Sequence, residues 1–264
     1  MDPRLRSLKG DILDIWGDAA TREGALRDIY DVYGALRHPK NSPREQAHLR
    51  QLLAATADRV DKAVAAGLNA LGYPRGPVGR VDVTEIPGPA SGRKTPQCDV
   101  QISGPRLGDF LDTFHAPDKG LRTWVHESLH ARAPFTRDYS RGYNPRRGYE
   151  EGLASGLAQI VTRDCAAMQV GSPAFPHYLR SCEILAEEIG VTTEALLRNL
   201  WAHPLGAVRD RFGGVVAGVY QAHTGRPLAP GQIAALVRAA DRLFSSTQSG
   251  HLVDIRGTWK GVLP

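Results

Sequence analysis

Residues 124–130 read Trp124-Val125-His126-Glu127-Ser128-Leu129-His130, and the rest of the chain is best understood outward from them. His126 and His130 are four apart, so on a helix they share one face. Two imidazoles held this way can grip one Zn²⁺, and Glu127 beside them can take the proton of an activated water. The H-E-x-x-H pattern is short. Background frequencies produce it by accident in roughly one chain in a hundred of this length, so the flanking residues must carry weight. Leu121, Val125 and Leu129 form an apolar stripe that Trp124 extends on one flank. The spacing predicts a helix over 119–132, with Asp118 as its N-cap and Pro134 stopping it.

A second helical pattern begins at Tyr149-Glu150-Glu151-Gly152-Leu153-Ala154-Ser155, and Glu151 lies 21 residues after His130. That distance accommodates a helix end, a loop and the start of a second helix. A carboxylate there completes a three-ligand site with a fourth position open. Glu150 and Glu151 project about 100° apart on a helix, so either can be the ligand. The other is free to orient a ligand histidine through its second nitrogen. His177 is a further alternative donor.

His126-Glu127-x-x-His130 followed by Glu151-Gly152-Leu153-Ala154 resembles the glutamate-ligand zinc metallopeptidases, the gluzincins, over about residues 121–160. The resemblance implies a zincin-like core with a small sheet ahead of the active-site helix. It also implies Zn²⁺ held by His126, His130 and Glu151, with Glu127 as the base of peptide hydrolysis. In the resembled class the sheet's edge strand often holds the substrate in extended form. The thermolysin family proper has Asn before the ligating Glu and Asp four after it. Glu150 and Ser155 stand there in this chain.

Composition sets the outer bounds. At 264 residues the chain builds one sizeable core or two small domains, and 42% hydrophobic residues is ordinary for a globular protein. No stretch approaches eighteen apolar residues, which argues against a membrane span. The first residues are charged with no apolar run behind them, so no secretory signal is recognisable. Cys98, Cys165 and Cys182 are too few for a disulfide framework. The expected location is cytoplasmic, or outside the cell by a route without a cleaved signal. A formal charge of +5 favours acidic partners modestly.

Ahead of the motif, Ile12, Leu13 and Trp16, then Leu26, Ile29, Tyr30 and Tyr33, fall at helical spacing, with Thr21 as a cap for the second group. Ser42-Pro43-Arg44-Glu45 reads as a capping box with proline in the first turn. Its helix runs through Leu68 and closes at Gly72 and Pro74. Val81–Ile86 alternates with period two and Cys98–Ile102 is a second short strand. The turn-rich residues 87–96 between them suggest a long hairpin loop. Phe110, Leu111 and Phe114 suit a turn or strand, and His115 a structural or surface role.

Residues 132–147 read as a loop carrying five arginines with Tyr139 and Tyr143 interleaved, and Asn144-Pro145 is a turn signal. Either tyrosine can donate to the oxyanion formed when water attacks a carbonyl. Such a loop can also contact nucleic acid. The helix from Glu150 is expected to reach about Met168, with Gly152 and Gly156 allowing close approach to the motif helix. The remaining chain is again helical: Tyr178, Leu179, Cys182, Leu185 and Ile189 make one stripe, a short helix starts at 192–195 and ends near Trp201, and the segments 205–223 and 230–244 follow. His177, His203 and His223 lie there, and His223 is the favoured imidazole donor to the oxyanion.

The fold class expected is α+β and predominantly helical. A helical scaffold over 1–72 precedes a catalytic region over 73–264 that ends in a helical lobe. The expected activity is zinc-dependent hydrolysis of a peptide or protein substrate. A metal-binding scaffold without turnover, and a nucleic-acid-associated protein using residues 132–147, are the alternatives. No motif speaks to oligomeric state.

Overall fold

In the computed structural model the described residues are 1–73, 79–88, 90–95, 99–112, 116–133, 139–203, 207–244, 259 and 262–264, with the side chains of 116–117 and 139–147 outside that description. The chain is predominantly helical with one small mixed sheet, an α+β composition. It divides into two compact units. One comprises Met1–Arg132 with Ala158–Gly171, the other Ala133–Leu157 with Ser172–Pro264.

The first unit opens with helices α1 (Pro3–Arg6), α2 (Asp11–Gly17), α3 (Ala19–Leu36) and α4 (Pro43–Ala70). Of the residues at helical spacing, Trp16, Leu26, Ile29, Tyr33, Val60, Val64 and Leu68 are buried, whereas Ile12, Leu13 and Tyr30 are half-buried and Ile15 takes a core place instead. The α3 cap is Asp18 rather than Thr21. Its carboxylate accepts from the Thr21 backbone N–H at 2.7 Å and hydroxyl at 2.6 Å. A carboxylate at that place also suits the positive end of the helix dipole. The Ser42–Glu45 capping box forms as read, each side chain accepting from the other's backbone N–H.

Strands β1 (Val81–Thr84), β2 (Gly92–Lys94) and β3 (Val100–Ser103) form a sheet of order β1-β3-β2. Here the hairpin expectation fails. β1 and β3 are paired, but in parallel, with Val81 opposite Val100 and Thr84 opposite Ser103. Parallel neighbours need a crossover, not a tight turn. The connecting stretch supplies the third strand, which runs antiparallel on the other side of β3. Phe110 and Leu111, read as packing a turn or strand, lie instead in helix α5 (Gly104–Leu111), capped by Ser103 with proline in its first turn. Phe114, His115 and Cys98 lie outside the described residues.

Helix α6 (Ala116–Arg132) carries the histidine motif. Leu121, Trp124, Val125 and Leu129 are wholly buried, as the stripe requires. Asp118 sits inside the first turn rather than capping it. Its carboxylate instead receives the Arg22 guanidinium at 2.6 Å and the Gln169 backbone N–H at 2.6 Å. At the other end Arg132 donates to Asn69 Oδ1 at 2.8 Å and the Tyr73 carbonyl at 3.3 Å. In between, Trp124 Nε1 donates to Asp61 at 3.3 Å. The helix is thus tied along its length to α3, to α4 and to the segment after Cys165.

Helix α7 (Tyr139–Gln159) begins eleven residues before the expected start at Glu150, so much of the arginine-rich stretch is helical. The Asn144-Pro145 turn signal is overridden. From Ile160 to Cys165 the backbone widens into a π-helical turn. Residues 134–138 are outside the described part.

The second unit continues with α8 (Pro176–Ile189), α9 (Thr193–Trp201), α10 (Val208–Thr224) and α11 (Pro230–Phe244), close to the expected spans. Tyr178, Leu179, Cys182, Leu185 and Ile189 line the buried side of α8 as one stripe. Gly152 and Gly156 of α7 lie close against α8 and α9. A Cβ on Gly152 would lie 2.4 Å from the Tyr178 ring, and one on Gly156 would lie 3.2 Å from Leu197. Gly152 follows Glu151 by a single residue and so points about 100° away from it. The tail residues Leu252, Val253 and Ile255 lie outside the described residues, while Trp259 is buried and donates to the Ser181 carbonyl at 3.1 Å. Among the described residues no helix is long and apolar enough to cross a membrane.

Candidate metal centre

The two histidines of α6 meet as their four-residue spacing demands. Their Nε2 atoms are 3.1 Å apart, with ring centroids at 4.6 Å and planes inclined by 72°. At bond lengths of 2.0–2.1 Å, two nitrogens on one tetrahedral ion are separated by about 3.3 Å, so the pair has the right spacing to share a cation. His130 is buried and His126 half-buried. The buried apolar stripe on the far side of α6 fixes which way the two rings face.

One ligand atom each from His126, His130 and Glu151 all lie within 4.8 Å of one another, and this group can hold a metal ion. It is the one such group among the described residues. Of the two adjacent glutamates, Glu151 is in this group. Glu150 is 2% exposed and is not part of the group. His177 is not part of it either. That ring lies edge-on to Phe175, and partial burial lowers its basicity.

Glu127 is 6% exposed, with Oε1 4.0 Å from His126 Nε2. Helix geometry puts it one residue round from the first histidine, so its carboxylate borders the donor group without belonging to it. Strand β2 packs against the same side chain. A Cβ on Gly92 would lie 2.7 Å from Glu127 Cγ and 3.0 Å from its Oε1. Nothing in the sequence pattern of Gly92-Arg93-Lys94 marks it as a neighbour of the motif. Only the antiparallel pairing with β3 brings it there.

The expected oxyanion donors fare differently. Tyr139 and Tyr143 fall in the first turns of α7, where side chains lie outside the described residues. His223 is exposed in the last turn of α10. Its ring rests against Gly190, the left-handed residue that ends α8. His38 and His48 are exposed, as their sequence context suggests. Cys165 and Cys182 are buried, and burial pushes the Cys182 thiol well above its usual range.

Chemically, the arrangement offers two imidazole nitrogens, one carboxylate oxygen and an adjacent carboxylate outside the group. Neutral imidazoles and a carboxylate are borderline ligands suited to a divalent first-row ion. No protein-family model, curated protein or solved structure matches the chain.

Proposed function

We propose that this protein is a zinc-dependent metallopeptidase of the gluzincin type. The observation that carries the reading is the convergence of His126, His130 and Glu151 within 4.8 Å, with Glu127 beside them. Three protein ligands of the His₂Glu kind leave a position open, the ligand count of a catalytic rather than a structural zinc site. Zinc, when bound, acts as a Lewis acid on the scissile carbonyl and lowers the pKa of water.

In this reading the chain's own residues divide the work. His126, His130 and Glu151 hold the ion. Glu127 takes the proton of the attacking water and later delivers it to the leaving amine. Its burial keeps that carboxylate in a low-dielectric setting, where proton transfer to the departing nitrogen meets little competition from solvent. Tyr139, Tyr143 and His223 remain the sequence-derived candidates for donation to the oxyanion.

Glu127→Gln tests the proposal. The amide keeps the size of the side chain but cannot accept the water's proton. Zinc-loaded parent protein is expected to cleave unfolded proteins or members of a peptide library. The variant, holding the same zinc, is expected to be slower by about 10²–10⁴-fold. Equal cleavage by both removes Glu127 as the base. Zinc binding with no cleavage by either overturns the peptidase reading in favour of a metal-binding scaffold.

A further inference from the structure

The space beside Glu127 is filled by bare backbone. Gly92 opens strand β2, paired opposite Ile102 of β3, and its missing side chain would point straight at the glutamate. The three atoms nearest a Cβ built at 92 are all from Glu127: Cγ at 2.7 Å, Oε1 at 3.0 Å and Cδ at 3.1 Å. Gly92 is not among the glycines of positive φ, so the backbone there suits any residue. Glycine is required at 92 by space alone.

The nearest of those three atoms, Cγ, belongs to the stem of the glutamate rather than to its carboxylate. Cγ is set by χ1, and on a helix only two χ1 wells are open to a long side chain. A methyl group at 92 therefore cannot be accommodated by a small swing of the carboxylate. Either Glu127 changes rotamer or the strand withdraws from α6. The far wall is equally unyielding, because the buried stripe of α6 holds the helix in place.

We propose that Gly92 is a positioning residue for Glu127: the side-chain-free backbone of β2 selects the rotamer that keeps the carboxylate beside His126. This rests on the peptidase reading for its catalytic consequence, but not for its steric content. Any side chain at 92 turns the base away from the donor group while leaving the three metal ligands in place.

A double-variant cycle tests it. Gly92→Ala, Glu127→Ala and the pair are compared by melting temperature, bound zinc and steady-state peptide cleavage. Gly92→Ala in the parent is expected to lower the melting temperature by about 5 °C, the usual scale of an overpacked site. In the Glu127→Ala background, where the obstructing stem is gone, the same substitution is expected to cost about 1 °C or less. Zinc per chain stays at the parent's value. Where the parent cleaves peptide, Gly92→Ala lowers kcat at least tenfold with KM within about twofold, since the substrate still binds and the base is displaced. Equal melting losses in both backgrounds overturn the proposal, as does unchanged kcat in a parent that turns over. A parent that cleaves nothing sinks the peptidase reading alone, and the melting cycle still decides the role of Gly92. If Gly92→Ala does not fold, recovery of folding in the double variant supports the proposal, and failure of both overturns it.

Discussion

Arg22 and Asp118 form a buried ion pair, Nη2 to Oδ1 at 2.6 Å and Nε to Oδ1 at 2.7 Å, with side chains 5% and 9% exposed. They are 96 residues apart in the chain. Arg22 also donates to the carbonyls of Ile15 and Trp16, and the other oxygen of Asp118 accepts from Gln169. One carboxylate thus joins the first turn of the histidine helix to α3 and to the segment after the π-helical turn.

Removing one partner leaves the other charge buried and uncompensated. Asp118→Ala is therefore expected to destabilise the protein by about 3–5 kcal/mol. Replacing both, as Arg22→Met with Asp118→Leu, is expected to recover most of that loss. Thermal or urea unfolding of the three proteins measures it. A single variant as stable as the parent would show that the pair does not anchor α6.

The metal donors give a sharper contrast. The parent is expected to hold about one zinc per chain, and His126→Ala or His130→Ala to lose most of it. Glu151→Ala should weaken zinc by more than the roughly 10–100-fold typical of losing an outer hydrogen-bond partner. Glu150→Ala removes a buried side chain outside the donor group, so its cost falls on stability first. Elemental analysis and chelator competition on the purified variants check each ranking. Equal zinc affinity in the Glu150 and Glu151 variants would remove Glu151 as a ligand.

Gly152 predicts a packing defect. A Cβ there would lie 2.4 Å from Tyr178 Cγ, and Tyr178 is wholly buried, so its ring has nowhere to swing. Gly152→Ala is expected to lower the melting temperature by about 3–10 °C, the range that overpacking by 1–3 kcal/mol produces in a chain of this size. An unchanged melt would mean that α8 yields without cost.

What the sequence revealed, and what it hid, follows the range of the interactions. The His126–His130 pair was legible because a four-residue spacing fixes a shared helix face before any tertiary contact exists. The Ser42–Glu45 box was legible for the same local reason, and so was the α8 stripe. Glu151 came from spacing plus a resemblance, and the geometry of α7 places its donor atom with the histidines. The contacts that hold the site were hidden because they are long-range. Gly92-Arg93-Lys94 has neither alternation nor β-branched residues, so its strand exists only through pairing with β3. The parallel register of β1 on β3 leaves no local mark. Asn144-Pro145 gave a true local preference that the surrounding helix overrode. The close contacts of Gly152 with α8 and of Gly156 with α9 are likewise long-range and leave no local mark.

The last prediction concerns acid. Asp241 of α11 accepts from Arg209 Nε at 2.7 Å and Nη2 at 2.6 Å, and from the Tyr149 hydroxyl at 2.8 Å. These bonds tie α7, α10 and α11 together within the second unit. The hydrogen bond from Arg209, then that from Tyr149, hold the Asp241 carboxyl below its ordinary value of 3.8 against the opposing effect of burial. A carboxyl whose pKa is depressed on folding adds stability above its unfolded pKa of about 3.9, and loses it as pH falls through the folded value. Both charged side chains are about one-third exposed, so solvent screens the pair and the contribution is held to about 1 kcal/mol. Asp241→Asn is expected to melt about 2–4 °C below the parent at pH 7. The gap should stay constant down to about pH 5 and close progressively below about pH 4 as the parent's carboxyl is protonated. Melting curves of both proteins across that range decide it: a gap that persists undiminished at pH 2 would show that the ionised carboxylate is not what joins the three helices.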